Sequence, residues 1–233
     1  MKKLTRTLLV GISALVALGT LSACSGGSST EASSSSEAPT TTTAAASDAF
    51  PQSARYIADM TAADGKTMTI GISVDGAEVA AYACNGTNDE AWFFGNQTDG
   101  KIDIKSRFRD TLKTDFDGTN VEGDLNMNGV AYQFTAAPVS GDAGMYTADV
   151  DGVRASWVVR EDGSAIGVQI NGVNLDAADV QQLNDAQFRA EVRNKRQLQQ
   201  AQQITRLGNG RASSKINGKN VEPTLVNGSF RLG

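Results

Sequence analysis

The 233-residue chain contains no histidine. That absence removes the Ser-His-Asp and Cys-His arrangements, imidazole zinc sites and the usual general base near neutral pH. Cysteine is nearly absent too, with only Cys24 and Cys84. The chain has no Ser-x-x-Lys dyad, no Gly-x-Ser-x-Gly elbow and no glycine-rich phosphate loop. Long apolar runs are also missing. The stretch from Leu8 to Leu18 holds about a dozen residues, against the ~20 that a membrane-spanning helix needs. What remains is carboxylate chemistry or cation binding by oxygen ligands.

That short apolar run has a context. Lys2, Lys3 and Arg6 precede it, and Leu21-Ser22-Ala23-Cys24 follows it. A basic start, a short apolar core and small residues at a cleavage point describe a signal peptide over residues 1–23. Leu-Ser-Ala-Cys in this place resembles the lipobox of bacterial lipoproteins. The resemblance implies that Cys24 becomes the lipidated first residue of the mature protein. It also implies a membrane partner held through a lipid anchor, on the extracytoplasmic face of the cell envelope. The alternative is an ordinary secreted protein cut elsewhere. A lipidated Cys24 cannot pair, so Cys84 is expected as a lone thiol in a fold without disulfides.

Residues 24–49 are rich in Ser and Thr and carry almost no large apolar side chain before Phe50. Such a stretch cannot offset its ordering entropy and reads as a disordered tether. About 25 flexible residues give a typical reach of ~25–30 Å. The charge distribution beyond it is polarised. Ser25 to Phe188 holds 24 acidic and 9 basic residues, whereas Arg189 to the end holds 2 acidic and 9 basic. The simplest account is that the basic tail folds back on the acidic body. The other is that it meets an anionic surface such as phospholipid heads or wall polymers. Nucleic acid is not expected as a partner outside the cytoplasm.

From Tyr56 onward the pattern has period two. Met68-Ile70-Ile72-Val74, Val121-Gly123-Leu125, Val130-Tyr132-Phe134, Ala155-Trp157-Val159 and Ile166-Val168-Ile170 alternate with smaller or polar residues. Asp75-Gly76, Asp99-Gly100, Asn128-Gly129, Asp151-Gly152 and similar pairs separate the runs. Asx-Gly favours two-residue hairpins because both central positions take positive φ. The expected fold is therefore mainly β: an antiparallel up-and-down meander over 50–173, as a small barrel or alternatively a sandwich. Past Asn174 the pattern predicts a helix over 174–208, with Asp176 as N-cap, Asp179 in the first turn and Gly208 as the stop. Residues 209–233 then form a basic tail with short extended segments.

Several residues invite a functional reading. Cys84 ends a strand-like run and has no base to activate it, so it is expected as a buried structural thiol. Asp124, Asn126, Asn128 and Gly129 match the first half of a calcium loop. Thr135, however, stands where the closing glutamate belongs, and the same residues suit a hairpin. Asp115, Asp117 and Glu122 lie upstream; no metal and no other cofactor is expected. Trp92 and Phe94 share one strand face with Phe93 on the other, beside Asp89 and Glu90. Together with Trp157 they are the candidates for stacking a sugar ring or holding a lipid tail, and otherwise belong to the core. A hydrolase would need two carboxylates facing one cavity, but most acids here sit in turns.

The residues point to a non-catalytic binding or interaction module. The alternative is a carrier of a lipid or other apolar ligand inside the barrel, which requires Trp157, Phe134, Ile70 and Tyr132 to leave room. Val79-Ala80-Ala81-Tyr82-Ala83-Cys84-Asn85-Gly86, Glu90-Ala91-Trp92, Gly144-Met145-Tyr146 and Trp157-Val158-Val159 resemble a pattern in uncharacterised secreted or lipid-anchored actinobacterial proteins. These are strand and turn residues, and the resemblance carries no activity with it.

Overall fold

A computed structural model describes residues 48–172 and 183–232. Eight antiparallel strands run in sequence order: β1 (Ser53–Thr61), β2 (Thr67–Asp75), β3 (Glu78–Cys84), β4 (Glu90–Thr98), β5 (Lys101–Lys105), β6 (Thr111–Phe116), β7 (Val121–Met127) and β8 (Val130–Val139). They close into a barrel when β8 returns to β1, where Tyr56 faces Pro138 and Ile57 faces Ala137. Asx-Gly chemistry sets the tight turns. Asp99-Gly100 (φ 50° and 75°) joins β4 to β5, and Asn128-Gly129 (52° and 79°) joins β7 to β8. Both pairs adopt the doubly left-handed turn that matches strand twist.

Inward-facing side chains fill the barrel. Ile70, Ile72, Val74, Val79, Ala81, Phe93, Ile102, Leu112, Val121 and Leu125 are at most 1% exposed. Phe134 and Tyr132 join the same core. At the end carrying the β2–β3 and β6–β7 turns, Phe50 stacks on Phe116 at 4.5 Å and meets Tyr56 edge-on.

Closure falls at Val139, earlier than the expected boundary at residue 173. The next strands, β9 (Gly144–Val150), β10 (Val153–Val159) and β11 (Ala165–Asn171), begin a second sheet. That sheet is completed by β12 (Leu198–Gln200), β13 (Thr205–Gly208), β14 (Arg211–Ile216) and β16 (Thr224–Leu225). Its order is β12-β11-β10-β9-β16-β14-β13, with β15 (Lys219–Val221) paired to β14. One face packs on the outside of β2–β4 through Met145, Val158 and Val168, against Ala80, Tyr82, Cys84 and Trp92. The other face curls around Tyr146, Ala155, Trp157, Ile204, Ala212 and Ile216. Trp157 therefore belongs to this second core and not to the barrel interior.

The expected helix over 174–208 is much shorter among the described residues. Asp176 and Asp179 lie outside them. Helix α1 spans Asp185–Glu191, capped by Asn184, whose side chain accepts from the Gln187 N–H while Gln187 returns a bond to the Asn184 backbone. A 3-10 turn follows at Arg193–Lys195. Then the chain becomes extended: Leu198 pairs with Ile170 in β12, and Ile204 enters the second core. The apolar residues after Arg196 do not form a helical stripe, and the open edge of β11 offers their backbone hydrogen bonds instead. Gly208 (φ 84°) opens the β13–β14 turn and does not end a helix.

Candidate functional site: a cleft over one barrel mouth

In an up-and-down meander, alternate connections gather at one end. Here the β1–β2, β3–β4, β5–β6 and β7–β8 connections do so, and the segment from α1 to β12 crosses over them. The β3–β4 loop is built by Asn85, whose Oδ1 accepts the backbone N–H of Thr87, Asn88 and Asp89 at 2.9–3.0 Å. This Asx-type fold of the loop delivers Asp89 and Glu90 to the mouth. The β5–β6 loop is held similarly. Ser106 Oγ donates to Asp110 Oδ2 at 2.8 Å and accepts the N–H of Phe108 and Asp110. Asp110 Oδ1 then accepts the Asn128 N–H at 3.0 Å, tying this loop to the β7–β8 turn.

Two arginines from the crossing segment plug into these acids. Arg193 donates to Asp110 at 2.5 Å and to Asp89 at 2.7 Å. Arg196 donates to the Glu90 carbonyl at 2.8 Å, to Glu90 Oε1 at 3.2 Å and to Asp89 at 3.1 Å. Arg154 of β10 approaches Glu90 at 3.5 Å. Phe108 lies under the Arg196 guanidinium at 4.1 Å. The side chains of Arg193, Arg196, Glu90 and Asp110 are at most 3% exposed, so the network is desolvated. Three acids face three arginines, and the charges balance.

Desolvation leaves its mark on this network. Burial raises the Glu90 carboxyl above its ordinary value, against the opposing pull of Arg154 and Arg196. Burial likewise raises Asp89 despite Arg193 and Arg196, and it lowers Arg196. Such a network adds little net stability over an apolar equivalent, but losing one partner strands a buried charge at a cost of about 3–5 kcal/mol. The Nε of Arg193 is buried without a hydrogen-bond partner in this network.

Beside the network opens a cleft of about 750 Å³, lined by Lys66, Asn85, Thr87, Asn88, Asn128, Tyr132, Asn194 and Leu198 together with Arg193 and Arg196. Met68, Met127 and Val130 also contribute to its walls. Lys66 is engaged by Asp64 at 2.6 Å. Asn128 donates to Asn194 at 3.3 Å across the opening. The volume falls within the range of small-molecule sites, ~300–1,000 Å³.

Most residues singled out by sequence are elsewhere; Asn128 and the acids Asp89 and Glu90 are the exceptions. Asn128 lines the cleft, but Asp124 and Asn126 are exposed on the outer barrel wall. Asp124 accepts from Gln133 at 3.4 Å, so the half calcium loop is a β-hairpin. Among the described residues no three acidic or cysteine side chains converge as a metal site. Trp92 and Phe94 do not wall a mouth. They stack at 5.6 Å on the outer face of β4, and Phe230 covers them at 5.3 and 6.1 Å. The Trp92 indole N–H donates to Ser156 and that of Trp157 to the Gln202 carbonyl, both core arrangements. Cys84 is fully buried, and burial pushes its thiol up to about 12.

Arg193 and Arg196 fall inside the helix expected over 174–208, where no local pattern singles them out. The signal was the charge polarity, because a basic tail after an acidic body needs partners. Arg231 adds a contact to Glu78 at 3.3 Å and Lys219 one to Asp151. The tail thus folds back on the body. No protein-family model matches the chain, and no similar protein was found among curated proteins or solved structures.

Proposed function

We propose that this protein is a cell-envelope lipoprotein, anchored through Cys24, that serves as a non-catalytic binding module on the outer face of a membrane. The cleft over the barrel mouth carries the binding half of this reading. It is a concave, partly apolar site of small-molecule size, with amide groups at its rim. Two further observations support it over carriage or catalysis. The barrel interior, where a carried lipid would sit, is occupied by Ile70, Ile72, Phe93, Leu112 and Leu125. The buried acids are each matched to an arginine, and the one thiol among the described residues is held protonated. The tail cations at Arg193 and Arg196 are engaged internally, which favours an envelope polymer in the cleft over a basic membrane contact.

The anchor is tested by Cys24→Ala with cell fractionation. Two or more acyl chains at ~0.8 kcal/mol per buried CH₂ hold a protein on the bilayer, and the variant should lose them. It should appear in the soluble fraction; a processed variant still on the membrane overturns the anchor. For the binding half, the intact protein should be retained by purified envelope polymer from its own source. Failure to sediment with that material at micromolar protein removes the support for a binding module.

A further inference from the structure

We infer that the cleft over the barrel mouth takes a neutral, hydroxyl-rich ligand, a saccharide unit of an envelope glycan. The inference rests on the binding-module reading and names the ligand class of the same site. Charge is the first argument. Every cation in the lining already has a carboxylate partner: Lys66 has Asp64, Arg193 has Asp110 and Asp89, and Arg196 has Glu90 and Asp89. A phosphate or carboxylate ligand would have to compete with the buried, balanced pairs of Arg193 and Arg196 and with Asp64 for the exposed Lys66, whereas a neutral ligand leaves all of them intact.

The second argument is the distribution of the remaining groups. The apolar side chains in the lining, Met68, Met127, Val130, Tyr132 and Leu198, come from strands of the barrel and from β12. The amides and hydroxyls of Thr87, Asn88 and Asn194 are exposed at its rim. A pyranose has apolar C–H surface and a girdle of hydroxyls, each both donor and acceptor. A side-chain amide, also donor and acceptor, matches vicinal hydroxyls without net charge. The Asn88 Oδ1 accepts from Asn85 and the Asn194 Oδ1 from Asn128, which fixes both amides and leaves their NH₂ groups directed away from those bonds. The rim is therefore preorganised, which lowers the entropic cost of binding.

The test uses the detergent-solubilised full chain, with saturation-transfer NMR and titration calorimetry. The probes are chitotriose, maltotriose, trigalacturonate and an uncharged extended hexapeptide. At least one neutral trisaccharide should bind, and Asn88→Ala/Asn194→Ala should weaken it tenfold or more without moving the melting temperature. The inference is overturned if neither neutral trisaccharide binds at millimolar concentration, if the double variant binds as well as the parent, or if trigalacturonate or the hexapeptide binds tenfold tighter. Sedimentation with envelope polymer separates the two levels. Retention that the double variant abolishes, with no response to any neutral trisaccharide, sinks the saccharide and keeps the module. Loss of both sinks both.

Discussion

The two flanks of the barrel are built from the same alternation yet end in opposite environments. In β5 to β8, every second residue faces the core and its neighbours face water, as in Lys101-Ile102-Asp103-Ile104-Lys105. In β2 and β3, nearly every residue is buried on both faces. The difference lies in what alternates. The outward residues of β5–β7 include Lys101, Asp103, Lys113, Asp115 and Glu122, which no neighbouring sheet could cover without stranding charge. Those of β2 and β3 are Thr69, Gly71, Ser73, Ala80, Tyr82 and Cys84, mostly small or weakly polar, and the second sheet lies directly on them. Periodicity identifies a sheet; the size and charge of the second face decide whether the sheet is covered.

The sharpest way to break this comparison is to cut one outward side chain on each flank. Trp92 on β4 is buried between the barrel and the C-terminal segment, so Trp92→Ala should cost about 3–5 kcal/mol in urea unfolding. Thr135 on β8 is exposed, and Thr135→Ala should stay within about 0.5 kcal/mol. Similar losses at both sites would mean that the second sheet does not stabilise the flank it covers.

A smaller effect probes how close the layers come. Gly71 on β2 lies against β9: a Cβ there would be 2.5 Å from the Met145 side chain. Gly71→Val should therefore cost about 1–3 kcal/mol by overpacking. Pairing it with Met145→Ala should recover part of the loss, because the flexible side chain in the way is removed. A double variant whose loss equals the sum of the single losses would show that the clash lies elsewhere.

These contrasts also mark what the sequence made legible. The barrel was readable because alternation and Asx-Gly turns are local, and Asp99-Gly100 and Asn128-Gly129 adopt the expected backbone. Its closure at Val139 was not readable, since nothing in the pattern of Ala155-Trp157-Val159 distinguishes a barrel strand from one in a second sheet. The helix was overread for a related reason. Gln and Arg after Arg196 have good helix propensity, but propensity is weak beside a free strand edge, and Leu198 pairs there. Of the candidate site, Asp89 and Glu90 were visible only as neighbours of an aromatic cluster. Their partners Arg193 and Arg196 lie over a hundred residues away, a separation that no local pattern spans.

The subtlest test separates buried from open carboxylates by the sign of a pH dependence. Glu90, in the covered network, has its folded-state value raised above 4.5, because burial outweighs Arg154 and Arg196. Asp59, on the outer face of β1, has its value lowered below 3.8. Burial there opposes ionisation but is outweighed by hydrogen bonds from Arg160 and Thr69 and by the Arg160 charge. A raised acid means the folded state binds the proton more tightly, so its contribution to stability falls as pH rises through the window above 4.5. A lowered acid contributes stability that is present above 3.8 and lost as pH falls through its folded value. Stability relative to the parent should therefore move oppositely in two variants. Glu90→Gln should gain on the parent as pH rises from about 4 to 7, and Asp59→Asn should lose ground as pH rises from about 2 to 5. Urea unfolding at matched ionic strength reads both slopes. Slopes of the same sign would mean that the arginines, and not desolvation, govern the network at the barrel mouth.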